Sequence, residues 1–300
     1  SSALLSKVTG YPIARVAAKL AIGYKLFEIE NDITGCTTAC NEPAIDYCAV
    51  KFPKWSFDSF VHAKRKLGLG MQATGETVSI GTSFELAFMK ALRSSGMAST
   101  SPSLPKFRSL SDAELLITIS ASSDERIFAV YEAIKRGIPF DKILSITFID
   151  KWFLSKLNNI ADVEAKLIDG ICEENYRQAK QTGFLDETIR NIAIAGDQFH
   201  IAPSYNMIDT CAAEFDAVHP YYYANYDNED EANMVMNCFD ETKPKILVIG
   251  SGPASIGHAG ELDYCNIHCV KALKSMGCST IMLNNNSSSV STDFYLTDRL

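Results

Sequence analysis

Apolar residues Ile13, Val16, Ala17 and Leu20 recur at spacings of three and four, the signature of one face of a helix. That helix is predicted to follow Gly10, with Pro12 in its first turn, where a missing N–H is tolerated. Ala44–Phe52 and Glu76–Ile80 read as strands, and Ser83–Arg93 returns to helical periodicity. Two or three short strands make a poor sheet alone, so their partners are expected elsewhere in the chain. From about Gly96 the pattern breaks into Ser99-Thr-Ser-Pro-Ser-Leu-Pro105, a run of turn formers that marks a boundary. Beyond it, Ser111 with Glu114 and Ser122 with Glu125 each have capping-box spacing. The second of these helices is predicted to stop at Gly137, with Pro139 behind it. Ile149, Trp152, Phe153, Leu157 and Ile160 trace one face of a further helix and read as core, and 186–195 is helical in pattern. The middle of the chain is therefore predicted to be all helical. After the acidic run Asp227-Asn-Glu-Asp-Glu231, read as a solvated linker, Lys245–Ile249 forms a buried strand running into a glycine turn. A helix from about Glu261 to Met276 and a strand at Ser279–Leu283 follow. That order is the opening of a doubly wound sheet.

The pattern thus divides the 300 residues into 1–97, 98–243 and 244–300, and a length of this order suits about two domains or more. The fold class expected is mixed α/β with an all-α centre. A net charge of −8 argues against a duplex-binding surface, which needs clustered Lys and Arg to displace counterions. Nine cysteines without a signal peptide fit a reducing compartment, so a cytoplasmic location is expected. Cys36 with Cys40, and Cys265 and His268 with Cys269, lack a second pair at metal-site spacing. On a helix Cys265 and Cys269 fall one turn apart and are expected to pack as small apolar groups. No apolar run approaches a membrane span. The chain begins Ser1-Ser-Ala-Leu-Leu without an initiator Met, and is expected to be a piece of a longer polypeptide.

The glycine turn invites a nucleotide. A dinucleotide fingerprint needs glycine at its first, third and sixth positions, and here Gly250 and Gly252 are followed by Ser255 in the sixth place. Pro253 removes an amide that would face a phosphate, and the strand at 279–283 runs into Asn284-Asn-Asn-Ser-Ser-Ser instead of ending on a ribose-binding acid. Ser251 lacks the Gly-x-Ser-x-Gly setting of a nucleophile elbow, because Pro253 stands two residues on. His200, His219 and His258 read as surface or packed residues without an assigned partner.

Gly252-Pro-Ala-Ser-Ile-Gly-His-Ala-Gly-Glu-Leu-Asp-Tyr-Cys265, followed by Val290-Ser-Thr-Asp293 and Thr297-Asp-Arg-Leu300, resembles the start of the second half of the carbamoyl phosphate synthetase large subunit. Ser1-Ser-Ala-Leu-Leu-Ser-Lys-Val-Thr-Gly-Tyr-Pro-Ile-Ala14, Asn31-Asp-Ile-Thr34 and Glu42-Pro-Ala-Ile-Asp-Tyr47 are similar to the end of the ATP-grasp core in that family's first half. Ile149-Asp-Lys-Trp-Phe-Leu154 and Asp209-Thr-Cys-Ala-Ala-Glu-Phe215 are similar to motifs of the helical domain between the halves. The matches keep the family's order along nearly the whole chain, and are thinnest at about 95–140 and 160–200.

The resemblance implies that 1–97 completes a first ATP-grasp domain, 98–243 is a helical oligomerisation domain, and 244–300 opens a Rossmann-like pre-ATP-grasp domain. It also implies a parent ligase making carbamoyl phosphate from ATP, bicarbonate and ammonia, for pyrimidine or arginine biosynthesis. ATP and Mg would bind outside this segment, so no catalytic residue, metal or cofactor site is expected within it. The partners implied are the two flanking ATP-grasp cores, a glutaminase domain or subunit and further copies of the chain, with no nucleic acid or membrane. By resemblance, Gly250, Gly252, Gly257, Glu261 and Asp263 lie along the inner route of the intermediate, although Glu261 could equally cap or pair within the fold. The family's loop has Arg, Gln, Gly and Phe where this chain has Ser255, His258, Ala259 and Leu262. Its Asn-Pro-Glu-Thr loop is Asn286-Ser-Ser-Ser289 here, a change expected to loosen the loop and remove a charge. Two other functions stay open on the residues alone: a non-catalytic interaction module, and a Rossmann-like nucleotide-binding domain.

Overall fold

The computed structural model describes residues 2–60, 62–97, 101–193, 199–211, 214–218, 221–231, 239–250, 252, 259–287, 289–293 and 295–300. Among these residues the fold is mixed α/β, with eleven α-helices and three two-stranded sheets. It divides into two compact units, Ser1–Lys51 with Thr77–Thr82 and Pro203–Leu300, and Phe52–Glu76 with Ser83–Ala202. Strands β1 (Cys48–Lys54) and β2 (Gly75–Gly81) pair with each other, and the division falls within both.

The second unit is helical. It contains α3 (Phe84–Ser94), α4 (Pro105–Arg108), α5 (Asp112–Ser120), α6 (Arg126–Lys135), α7 (Phe140–Thr147), α8 (Lys151–Asp169), α9 (Glu173–Thr182) and α10 (Asp186–Ala193). Local chemistry starts several of them. The Ser83 hydroxyl accepts from the Leu86 amide at 3.2 Å, Ser111 and Glu114 close the predicted capping box, and the Asp150 carboxylate accepts from the Trp152 amide at 2.8 Å. Leu115, Ile119, Tyr131, Leu154, Ile160 and Leu167 are fully buried between these helices. Charge is buried with them, but paired. The Glu164 carboxylate on α8 accepts from Lys135 Nζ at 2.5 Å and from the Tyr131 hydroxyl at 2.7 Å, both one turn apart on α6. Glu85 likewise accepts from Asn159 at 2.7 Å and lies 3.3 Å from Lys156.

Gly183 ends α9 at φ +104, and a Cβ there would stand 2.9 Å from Met89 Cβ. That close approach lets the Gly183 carbonyl accept from Arg93 at 2.6 Å.

Three expectations are corrected here. Ser122 and Glu125 form no capping box, since α6 starts only at Arg126. Glu125 is drawn away by Arg65 at 3.1 Å and Lys106 at 2.5 Å, while the Ser122 carbonyl accepts from the Leu67 amide. Trp152 and Phe153 are not core: they are 50% and 47% exposed. They pack edge-on against Phe84, at 5.1 and 5.8 Å between ring centroids, because the buried face of α8 begins one residue later, at Leu154. Nor does the all-helical pattern extend through the middle region, as the β-hairpin described below shows.

Phe148 caps the C-terminus of α7 in the left-handed conformation, at φ 58, and the residue is 86% exposed. A side chain at that backbone angle is strained, whereas glycine is not. Phe148→Gly is expected to stabilise the unit by ~1 kcal/mol, read as a raised urea midpoint at unchanged slope.

The first unit opens with α1 (Ser2–Thr9) and α2 (Ile13–Ala21). Leu4 and Val8, one turn apart on α1, join Tyr47, Val78, Ile80 and Ile208 in a core. The sequence around 204–225, read as helical, instead forms the antiparallel pair β3 (Ser204–Met207) and β4 (Tyr222–Asn225), with Ser204 opposite Asn225 and Met207 opposite Tyr222. The missed signal is the run Tyr221-Tyr-Tyr-Ala224, rich in strand formers, whose Tyr221 and Tyr223 pack on that core. The acidic run is not a free linker either. Glu231 accepts from the Met207 amide and donates its own to the Tyr205 carbonyl at 2.8 Å, and Asp230 accepts from the Tyr205 amide at 3.0 Å.

β5 (Lys245–Ile249) and β6 (Ser279–Leu283) pair in parallel, Lys245 with Ser279 through Ile249 with Leu283, joined by α11 (Ala259–Ser275). Val248, Val270 and Met282 form the core between sheet and helix. Beyond β6, Arg299 bridges to Ile281 in parallel, and its carbonyl accepts from the Met282 amide at 2.9 Å.

Candidate functional site

A cluster of buried polar groups in the first unit surrounds the segment that follows β6. Asp263, in the first turns of α11, is buried, and its carboxylate accepts from the Ser289 hydroxyl, from the Val290 amide at 2.6 Å and from the Ser291 amide at 3.0 Å. These donors open the 3₁₀ turn Val290–Thr292, so Asp263 caps that turn from a neighbouring helix. Burial would raise its carboxyl, but the bonds from Ser289, Ser291 and Val290 hold it below the ordinary carboxylate range.

Ser287 ties the same segment to β2. Its hydroxyl donates to the Val78 carbonyl at 2.7 Å and accepts from the Val78 amide at 3.0 Å. From α1, Lys7 Nζ donates to the Ser287 carbonyl at 2.7 Å, the Ser289 carbonyl at 2.5 Å and the Thr292 hydroxyl at 2.6 Å. Burial pushes the Lys7 ammonium down to about 8, against the opposing pull of Asp293 and Asp263. A second tie lies nearby in sequence: Asp32 accepts from Arg15 at 2.9 Å and from the Tyr295 hydroxyl at 2.5 Å, with the guanidinium over the tyrosine ring.

Of the five residues predicted along the route, three are described in full. A Cβ on Gly250 would stand 2.3 Å from Cγ of Asn284, so glycine is required where the Asn284 side chain crosses the turn. Gly252 holds φ +78, a conformation that favours glycine. Asp263 belongs to the cluster above. Gly257 lies outside the described residues, and Glu261 lies on α11 with its side chain outside them. Sequence reasoning missed Lys7, Ser287, Ser289, Ser291 and Thr292. The one available signal was a lone lysine in the otherwise uncharged α1.

In the 286–289 loop Asn286, Ser287 and Ser289 are buried, with hydroxyl bonds from Ser287 to Val78 and from Ser289 to Asp263, while Ser288 lies outside the described residues. Cys265 and Cys269 are exposed rather than packed, since the covered face of α11 runs through Asp263 and Val270. His200 is exposed, while His219 and His258 lie outside the described residues. Among the described residues no group of His, Cys, Asp or Glu is placed to hold a metal ion, and no helix is long and apolar enough to cross a membrane.

Among the described residues, a helical unit and a parallel strand–helix–strand arrangement define a mixed α/β segment. A family model described as "Carbamoyl-phosphate synthetase large chain, oligomerisation domain" matches residues 76–199, and one described as "Carbamoyl phosphate synthase preATP-grasp domain" matches 242–300. Over 312 aligned residues, covering 100% of this chain, it is 46% identical to the carbamoyl phosphate synthase large chains of Clostridium perfringens and Clostridium botulinum, and 45% identical to that of Clostridium beijerinckii. The chain belongs to the carbamoyl phosphate synthase large-chain family. It spans 29% of the length of these relatives.

Proposed function

We propose that this chain is the central connecting segment of an ATP-dependent ligase that makes carbamoyl phosphate from ATP, bicarbonate and ammonia through carboxyphosphate and carbamate. The observation that carries the reading is 46% identity, over an alignment covering 100% of this chain, to large chains of that name. In this reading residues 1–97 complete a first ATP-grasp domain, 98–243 are the oligomerisation domain and 244–300 open the pre-ATP-grasp domain. A doubly wound sheet there is supported by β5 and β6: Leu247, Ile249 and Leu283 point away from α11 and are 54%, 72% and 52% exposed, and parallel sheets are normally covered on both faces. Gly250, Gly252, Gly257, Glu261 and Asp263 line the intermediate's route, with Asp263 acting through the segment it caps. ATP and Mg are held by flanking cores, and ammonia is supplied by a glutaminase domain or subunit. Self-association through the helical region is favoured by the exposed aromatics Phe148, Trp152 and Phe153.

Transfer of a phosphoryl group depends on cations and metal around the phosphates, and the polar cluster here is built instead of serines, one lysine and one carboxylate. The isolated chain, mixed with ATP, Mg and bicarbonate, is therefore expected to release no bicarbonate-dependent phosphate. Bicarbonate-dependent turnover by these residues alone would refute the division of labour.

A further inference from the structure

We propose that Lys7 is a positioning residue: its ammonium, donating to Ser287, Ser289 and Thr292, fixes the 3₁₀ turn at Val290–Thr292 and couples α1 to the strand–helix–strand unit at the other end of the chain. The partners are 280 to 285 residues apart in sequence, so this contact is not a by-product of local folding. An ammonium has three protons, and all three are directed to this one segment, at 2.5 to 2.7 Å. Its acceptors are two backbone carbonyls and a hydroxyl, none of them an ion. Such bonds set geometry more than they neutralise charge, and they hold the carbonyl side of the turn whose amide side is held by Asp263. Lys7 and Asp263 thereby grip one turn from opposite ends, and Ser287 pins it to β2.

The charged groups that face the ammonium are Asp263 on α11 and Asp293 at the end of the 3₁₀ turn. Both favour its protonated form, while burial works against it. The grip is consequently expected to slacken as pH rises through the lysine's depressed value, while Asp263, held below the ordinary carboxylate range, stays ionised.

In function this deepens the reading of the previous section, since α1 then belongs to the end of one catalytic half and the gripped turn to the start of the other. The experiment is independent of that reading. Amide hydrogen exchange at Val290 and Ser291 is followed from pH 6 to 10 in the full 300-residue chain, after division by the intrinsic rate, with the α8 amides of Leu157 and Ile160 as internal controls. In the parent chain, protection at the two amides is expected to fall through about pH 8. Lys7→Met is expected to speed their exchange roughly tenfold at neutral pH and to abolish the pH step, leaving α8 unchanged. Lys7→Arg, which keeps the charge, is expected to restore part of the protection and to remove the step near pH 8. Protection within about twofold of the parent in Lys7→Met would overturn the proposal, and so would a pH-independent parent profile, which needs no variant to fold. Loss of exchange control in α8 would assign Lys7 a general stabilising role and overturn it equally.

Discussion

Glu164→Ala is expected to destabilise the helical unit by ~3–5 kcal/mol, the scale for breaking a buried, hydrogen-bonded charge pair from one side. The carboxylate is buried between α6 and α8 and takes bonds from both Lys135 and Tyr131. Removing it strands a half-buried ammonium and a fully buried phenol, each without the acceptor that offset its desolvation. The triple variant Tyr131→Phe, Lys135→Met, Glu164→Leu removes all three polar partners together and is expected to regain most of the loss, because no charge is then left unpaired. Urea melts of the parent, the single variant and the triple variant measure both effects. A single-variant loss under about 1 kcal/mol would mean that the pair is solvated in solution.

The second large effect is expected at Asp263. Asp263→Ala leaves the Val290 and Ser291 amides and the Ser289 hydroxyl without their acceptor, a loss of about 3 kcal/mol for charge-assisted bonds to buried donors. Asp263→Asn keeps one carbonyl oxygen and is expected to lose about half as much. The pH dependence has a definite sign. A carboxyl held below its ordinary value in the fold binds fewer protons there than in the unfolded chain, so its stabilisation is complete above the ordinary aspartate value of 3.8 and is lost as pH falls through the depressed one. The gap between parent and Asp263→Ala should thus close in acid and stay constant from pH 5 to 7. A gap that widened in acid would contradict this role for the carboxylate.

Elements whose signals are local were legible in the sequence. Ser83 starts α3, Gly137 follows α6 at φ +73 with Pro139 beyond it, and the β5–α11–β6 order appears where the apolar runs set it. What was not legible depends on distant partners. Glu125 has capping-box spacing to Ser122, but Arg65, 60 residues upstream, and Lys106 compete for its carboxylate. The strand expected at 44–52 occurs at Cys48–Lys54 because Ala44 pairs instead with Cys211. The candidate site was half visible for the same reason. Gly250 and Asp263 sit in a recognisable motif, whereas Lys7 acquires its meaning only when α1 meets the turn after β6. Serines at 287, 289 and 291 look like a loop by composition, yet all three are buried, and the hydroxyls of Ser287 and Ser289 donate to Val78 and Asp263.

The most direct test replaces the aligned segment of the Clostridium perfringens large chain with residues 1–300 of this chain and assays carbamoyl phosphate made from ATP, bicarbonate and ammonia. The account predicts a chimera that synthesises the product, with synthesis impaired by Asp263→Ala placed in the graft. A folded chimera that hydrolyses ATP with bicarbonate but makes no carbamoyl phosphate would contradict it.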